Sequence, residues 1–134
     1  MIKNLTWGVL EKSLEGLAER FQATSQNIAN MNTPRYARRE ISFEDQLKEV
    51  IEAPNRLPLK LTNEKHISNI DDDISQVSPH ERSVGYEIYR LDGNNVDPET
   101  EMARMAETRM TYQALSMRMR GKINGLRRVI GGGP

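Results

Sequence analysis

The 134-residue chain contains no cysteine, which excludes a disulfide, a thiolate metal ligand and a cysteine nucleophile. It also lacks an excess of charge of either sign, because nineteen basic residues balance nineteen acidic ones. This balance argues against nucleic acid or an anionic membrane as the main partner. The first residues have no uninterrupted apolar run, so the sequence predicts neither a cleavable secretory signal nor a membrane span there.

Apolar residues are scarce throughout the chain. They make up 37% of it against 28% charged residues, and aromatic residues supply only 5%. This composition lies between that of a packed globule and that of a disordered segment. We therefore expect part of the chain to become fully ordered only with a partner.

Motifs for catalysis or ligand binding are missing as well. His66 and His80 stand in a loop-like region without helical spacing to a carboxylate, which argues against a metal site. The acidic run 71–73 and the segment 92–94 are interpreted as solvated turns, because Val96 stands where a calcium loop needs an oxygen ligand. No glycine-rich phosphate loop precedes a helix, and no serine has an evident base partner. The sequence thus predicts no enzyme, no cofactor and no small-molecule substrate.

The N-terminal stretch from Leu5 to about Asn30 has the pattern of a long helix. It contains no proline, and its apolar residues alternate at spacings of four and three, the heptad rhythm of coiled coils. We call this row the N-terminal seam. It consists of Leu10, Leu14, Leu17, Phe21 and Ile28, with Thr24 at the missing step.

A second long helix is predicted from Pro98 to about Ile130. Asp97 is placed to cap it, proline suits the first helical position, and Glu99 and Glu101 are interpreted as favouring the positive end of the helix dipole. Its row of alternating threes and fours is the C-terminal seam. The row consists of Met102, Met105, Arg109, Tyr112, Ser116, Met119, Ile123, Leu126 and Ile130.

Three further features of this helix each leave two interpretations open. Met110 and Met117 lie seven residues apart on another face, where they serve either an ordinary core or several helical neighbours. The glycines of the GxxxG spacing at 121–125 are either accidental or allow a backbone to approach closely. The stretch 118–128 holds five basic residues and no acid, which indicates either a solvated face or contact with an acidic neighbouring subunit.

The predicted fold class is mainly α. Residues 1–35 and 95–134 form a discontinuous helical core whose two long helices pair as a coiled coil. Residues 36–94 form an irregular middle segment with a short helix at about 42–52, and the rest of that segment is flexible or partly β. Stretches 57–61 and 84–91 have the composition of strands.

The turn after the first helix lies within the segment SQNIANMNTPRYARREISFED, residues 25–45. Asn30 and Asn32 tolerate the left-handed conformation that ends a helix, and Thr33 is pushed towards an extended shape by Pro34. Tyr36 offers an amphipathic anchor. On spacing alone the segment indicates a polar helix stop.

The residues of this turn resemble the N-terminal ANxxTPGY signature of flagellar rod, hook and hook-associated proteins. The matching positions are Asn27, Ile28, Ala29, Asn30, Thr33, Pro34 and Tyr36. The continuation ARREISFED and the later stretch GNNVDPETEMARMAETRMTYQALSMRM resemble most the proximal rod members of this family. Arg35 replaces the glycine that is usual in the family, so we expect either a type I turn or a strained backbone there.

The resemblance implies a structural subunit of the proximal rod, which polymerises through its terminal helices into the hollow drive shaft of the flagellum. It further implies export through the flagellar type III apparatus without a cleaved signal, followed by assembly in the periplasm. Implied partners are other copies, other proximal and distal rod subunits, the adaptor joining the rod to the MS ring, and the export gate. The alternative is a cytoplasmic coiled-coil adaptor or export chaperone, which would share the heptads without needing the TPxY turn.

Overall fold

The computed structural model describes residues 5–52, 74–83 and 93–131. Its elements, in chain order, are helix α1 (Leu5–Ala29), strand β1 (Arg39–Ser42), helix α2 (Glu44–Glu52), strand β2 (His80–Ser83) and helix α3 (Pro98–Ile130). Helix α1 packs against both α3 and β1. The predicted fold class, with two long terminal helices and an irregular, partly β middle, is confirmed.

Helix α3 begins where its sequence predicts. The Asp97 carboxylate accepts hydrogen bonds from the Glu99 backbone N–H at 3.1 Å and from the Thr100 hydroxyl at 2.6 Å, and Pro98 occupies the first turn. The hydrogen bond from the Thr100 hydroxyl lowers the pKa of Asp97. Desolvation raises it, but together with the backbone N–H groups of Glu99 and Thr100 the hydroxyl outweighs that effect. At the other end, the Gly131 N–H donates to a carbonyl of the last turn. Local capping chemistry therefore sets the start of α3. At its other end Gly131 has a φ of −80° and continues the helical hydrogen-bond pattern by one residue.

The two long helices run antiparallel. Asn27, near the end of α1, contacts Glu101 in the first turn of α3, and Leu115 further along α3 packs on the cluster that contains Leu17. Helix α3 has 33 residues against 25 in α1. Helix α3 is therefore longer by about 12 Å, at 1.5 Å per residue.

The apolar core lies between α1, the small sheet and α2. Its buried members are Leu17, Ala23, Ile41, Phe43, Leu47 and Val77. A Cβ on Gly16 would overlap the ring of Phe43, so the glycine in the middle of α1 allows the ring to approach the helix backbone. Strands β1 and β2 pair antiparallel with Ile41 opposite Glu81, which turns the apolar side chain of Ile41 towards α1.

Arg20 fastens the sheet and α2 to α1. Its guanidinium donates to the Ile41 carbonyl at 2.9 Å, pairs with Glu44 at 2.6 Å, and lies 4.9 Å from the centre of the Phe43 ring. Burial raises the pKa of Glu44, but the hydrogen bond from Arg20, backbone N–H groups and the positive charge outweigh it, so the pKa is lowered. One side chain thus joins three elements through polar and aromatic contacts.

The middle segment agrees with the sequence in part. The predicted short helix is present, but it starts at Glu44 rather than near residue 42, because Ser42 is the last residue of β1. The strands predicted at 57–61 and 84–91 lie outside the described residues, as do His66 and the acidic run 71–73. Within the described ranges, no helix has an apolar stretch long enough to cross a membrane.

Candidate assembly site at the helix ends

Five polar residues meet where α1 ends, β1 begins and α3 begins. We call this group the polar lock; its members are Asn27, Arg38, Asn94, Asn95 and Glu101. Asn27 and Asn94 are fully buried, and Glu101 is only 1% exposed. Burying polar groups is unfavourable unless each finds a hydrogen-bond partner. In the part of the chain that the structure describes, no buried side-chain nitrogen or oxygen lacks a partner.

Asn27 holds the chain reversal after α1. Its amide oxygen accepts from the Arg39 N–H at 2.9 Å, and its amide nitrogen donates to the Arg39 carbonyl at 2.8 Å. The side chain therefore pairs with the Arg39 backbone much as a neighbouring strand would. The same amide nitrogen donates to Glu101 at 2.9 Å, and the Tyr36 hydroxyl donates to the amide oxygen at 3.3 Å.

Asn94 closes the end of α1 from a distant part of the chain. Its amide nitrogen lies 2.8 to 3.1 Å from the carbonyl oxygens of Asn30, Met31 and Thr33, which it can satisfy as a donor. These carbonyls belong to the turn that follows α1, and those of Asn30 and Thr33 also accept backbone N–H groups within the turn. The amide oxygen of Asn94 accepts from the Val96 N–H at 2.8 Å, so the loop before α3 is fixed by the same side chain.

The lock also contains a buried ion pair. The Arg38 guanidinium donates to Glu101 at 2.6 Å and to the exposed Glu40 at 3.1 Å, and Arg104 approaches Glu101 at 3.8 Å. Burial lowers the pKa of Arg38, but the hydrogen bonds and charges of Glu101 and Glu40 outweigh this effect and raise it. A buried ion pair adds less stability than its Coulomb attraction suggests, and its removal on one side is costly. This pair therefore joins the first turn of α3 to the segment that precedes β1.

The turn inside the lock carries backbone strain. Arg35 has a φ of 59° and Gly93 a φ of 75°, both in the left-handed region that disfavours residues with a Cβ. The sequence left either a type I turn or a strained backbone at Arg35, and the positive φ shows the strained backbone. A Cβ on Gly93 would lie 3.7 Å from the Cγ of Arg35, in ordinary van der Waals contact.

The seven residues that match the ANxxTPGY signature have unequal roles in the structure. Asn27 and Tyr36 belong to or contact the lock, and Asn30 bonds within the turn through its own amide and through the hydroxyl of Thr33. The remaining signature residues are the half-buried Ile28 and the exposed Ala29 and Pro34. The signature therefore encodes the helix end and chain reversal, and two of its side chains reach the lock.

The N-terminal seam is divided between two environments. Leu10, Leu17 and Thr24, spaced by seven residues, are buried. Leu14 is half-buried, and Phe21 remains 41% exposed. In the single chain only every second seam position is covered. The role of the seam in assembly remains a prediction.

The C-terminal seam is largely uncovered. The fully buried residues of α3 are Glu101 and Thr108, neither of which belongs to the seam. The half-buried seam residues that were predicted for assembly are Met105, Met119 and Ile123, and the exposed ones are Met102, Tyr112, Leu126 and Ile130. Glu101, attributed in the sequence to the helix dipole, is instead a buried member of the lock. Its bonds to Asn27 and Arg38 turn the face of residues 101 and 108 towards α1.

The second face of α3 is open. Met110 and Met117 are 64% and 65% exposed, and a Cβ on Gly121 or Gly125 would meet no atom of the described residues within 4 Å. In the single chain these residues therefore do not serve an internal core.

Sequence reasoning missed Arg38, Asn94, Asn95 and Glu101 as a cooperating group. The only local signal is a pair of adjacent asparagines just before the capping Asp97, which by itself indicates a turn. These residues build a corner that joins the end of α1 to the start of α3. The arrangement can orient surfaces for assembly.

The chain matches no protein-family model, but it is similar to several curated proteins. It is 35% identical to the flagellar basal body rod protein FlgB of Bacillus subtilis over 126 residues, which covers 92% of each chain. It is 33% identical to FlgB of Borreliella burgdorferi, covering 77% of this chain and 78% of the relative. It is 30% identical to FlgB of Escherichia coli, covering 92% of this chain and 91% of the relative.

Proposed function

Because the chain belongs to the FlgB family of flagellar basal body rod proteins, we propose that it polymerises through its terminal helices as a structural subunit of the proximal rod. In this proposal the rod is the hollow drive shaft that transmits torque from the motor to the hook. The observation that carries the proposal is the contrast between a rigid corner and open apolar faces. The polar lock sets the two helices against each other, while much of the apolar surface of α3 remains uncovered.

The size of that uncovered surface argues for several neighbours. Six apolar side chains of α3 are more than half exposed, namely Met102, Met110, Met117, Leu126, Val129 and Ile130. Burying one such side chain fully contributes about 1.5 to 3 kcal/mol. These side chains lie on more than one face of α3, so more than one neighbour is needed to cover them. The methionines suit irregular packing between unequal neighbours.

We further propose the partners and location that accompany this role. The partners are other copies, the other proximal and distal rod subunits, the adaptor between the rod and the MS ring, and the export gate. The location is the periplasmic rod, reached through type III export without a cleaved signal peptide. In this proposal the chain is a structural subunit rather than an enzyme, in line with its similarity to flagellar basal body rod proteins.

The test is substitution of the exposed Leu126 by aspartate. Leu126→Asp should leave the monomer folded and secreted but block its incorporation into basal bodies, because an unpaired carboxylate is costly to bury in the assembly. Leu17→Asp should also abolish assembly, but Leu17 is buried within the single chain, so this variant also disturbs the monomer. Lys48→Asp, on the exposed face of α2, is the matched control.

Motility in soft agar, immunoblots of purified basal bodies and blots of the secreted fraction provide the measurements. Circular dichroism of each purified variant verifies that it folds. Normal swimming and normal basal body content in Leu126→Asp would refute the proposed role of this seam. Detection of the wild-type protein only in the cytosol would instead support the adaptor or chaperone.

A further inference from the structure

We propose that the C-terminal tip of α3, Ile123–Ile130, docks on the outer face of α1 of a second copy of this chain. The receiving face carries an apolar stripe beside a row of three glutamates. This inference rests on the proposed function and specifies which two surfaces meet in the polymer.

The tip extends past the part of α1 that could cover it. Helix α3 starts beside the end of α1 and is about 12 Å longer, so its last turns lie beyond the described start of α1. Leu126, Val129 and Ile130 are accordingly 53%, 82% and 84% exposed. Val129 and Ile130 are the two most exposed large apolar side chains of the helix.

Positive charge accompanies this apolar tip. The five basic residues are Arg118, Arg120, Lys122, Arg127 and Arg128. Among the described residues, none of them has a carboxylate within 4.0 Å. The helix dipole favours cations only in the last turn, which explains Arg127 and Arg128 but not Arg118 or Arg120. An acidic partner surface would account for the whole set.

Helix α1 offers such a surface on its outer side. Leu14, Ala18 and Phe21 follow one another at spacings of four and three, which places them on one stripe. Ala18 is exposed, and Phe21 is among the exposed large apolar side chains. This stripe is therefore an apolar surface that the single chain leaves partly open.

A row of exposed acids borders the stripe. Glu11, Glu15 and Glu19 recur every four residues and are all exposed. Glu15 pairs with Lys12 at 2.9 Å. The row spans about 12 Å along the helix, similar to the roughly 10 Å between Arg120 and Arg127 at 1.5 Å per residue. The two surfaces therefore match in charge and in length.

Within one chain the tip of α3 does not reach Glu15. Since Asn27 lies beside Glu101 in the antiparallel pair, Glu15 lies across from about residue 113 and is therefore about 21 Å along the axis from Arg127. The tip must reach another molecule. A contact between two different surfaces of identical subunits is head-to-tail and builds open helical arrays when the rotation does not close.

Cysteine cross-linking tests this contact directly, because the chain has no cysteine of its own. A bacterium lacking the native copy would express one population carrying Glu15→Cys and another carrying Arg127→Cys. A disulfide requires Cα atoms within about 7 Å. We expect an oxidant to yield a cross-linked dimer of the two populations in purified basal bodies. Glu49→Cys on α2, paired with Arg127→Cys, is the matched control and should yield none.

Charge exchange provides the second test. Glu15→Lys with Glu19→Lys, or Arg120→Glu with Arg127→Glu, should each lower incorporation into basal bodies about tenfold through like-charge contacts. One chain carrying all four changes should recover at least half of the wild-type level. Circular dichroism identifies any variant that fails to fold. For such a variant the cross-linking experiment alone tests the docking contact.

The possible results separate the two proposals. Normal incorporation of the wild-type chain, with no cross-link and no effect of charge reversal, would overturn the docking contact and leave the proposed function standing. A cross-link from position 127 to a different rod protein would overturn the second copy as the occupant. Absence of the wild-type chain from basal bodies would overturn the proposed function itself.

Discussion

Removing either partner of the buried Arg38–Glu101 pair should destabilise the fold, and removing Arg38 should cost more than removing Glu101. In Arg38→Met the aliphatic length is kept and the charge is lost. Glu101 then retains Asn27 at 2.9 Å and Arg104 at 3.8 Å. Removing one partner of a buried pair costs about 3 to 5 kcal/mol. Because Arg38 is 12% exposed and Arg104 gives partial compensation, we expect a loss of about 3 kcal/mol in the free energy of unfolding.

The opposite deletion should cost less. In Glu101→Met, Arg38 still pairs with Glu40 at 3.1 Å, near solvent, so we expect a loss of about 2 kcal/mol. The double variant removes both charges and leaves no buried ion unpaired. Its cost should be smaller than that of Arg38→Met alone, since residues in direct contact are not additive.

Urea denaturation followed by circular dichroism measures these losses. With a slope of about 2 kcal/mol per molar urea, a loss of 3 kcal/mol lowers the midpoint by about 1.5 M. Lys12→Met, which breaks the exposed pair with Glu15, is the control and should cost less than about 1 kcal/mol. An Arg38→Met midpoint no lower than that of the control would refute the assigned role of the pair.

Three further predictions concern single positions. Gly16→Ala should lower the free energy of unfolding by about 1 to 3 kcal/mol, because its Cβ would overlap the Phe43 ring. Gly121→Ala, in open space, should raise it by up to about 1 kcal/mol. Urea midpoints that shift in the same direction in both variants would contradict this. Arg35→Gly should raise it by about 0.5 to 1 kcal/mol by relieving the positive φ, and an unchanged thermal midpoint would count against strain. The pKa of Glu44 is lowered in the folded chain, so its contribution is present above about pH 4.5 and is lost as pH falls through the folded pKa. The stability of Glu44→Gln should therefore fall less than that of the wild type in urea titrations below pH 4.5.

Local chemistry made the helix ends predictable. Asp97 followed by Pro98 marks a start in any context, since the cap satisfies donors within the next few residues. The position at which α1 ends was also predictable from its turn residues. The expected left-handed conformation at Asn30 or Asn32 was wrong, because among the described residues other than glycine only Arg35 has a positive φ. These features require no knowledge of distant contacts.

The face of α3 that meets α1 was not predictable in this way. Heptad spacing treats all apolar positions as equivalent, and it favoured the row containing Met102 and Leu126. The structure buries Glu101 and Thr108 instead, because Glu101 bonds to Arg38, which is 63 residues earlier in the chain. A bond across such a distance leaves no periodic trace in the sequence.

The polar lock also bears on the order in which the chain can fold. Asn27 and Glu101 are separated by 74 residues, so a chain that emerges N-terminus first exposes α1 and its turn long before the partner carboxylate arrives. Closing a loop of that length costs entropy and slows folding. The corner cannot close until about three-quarters of the chain has emerged. The lock therefore delays the pairing of the two helix faces until most of the subunit is available.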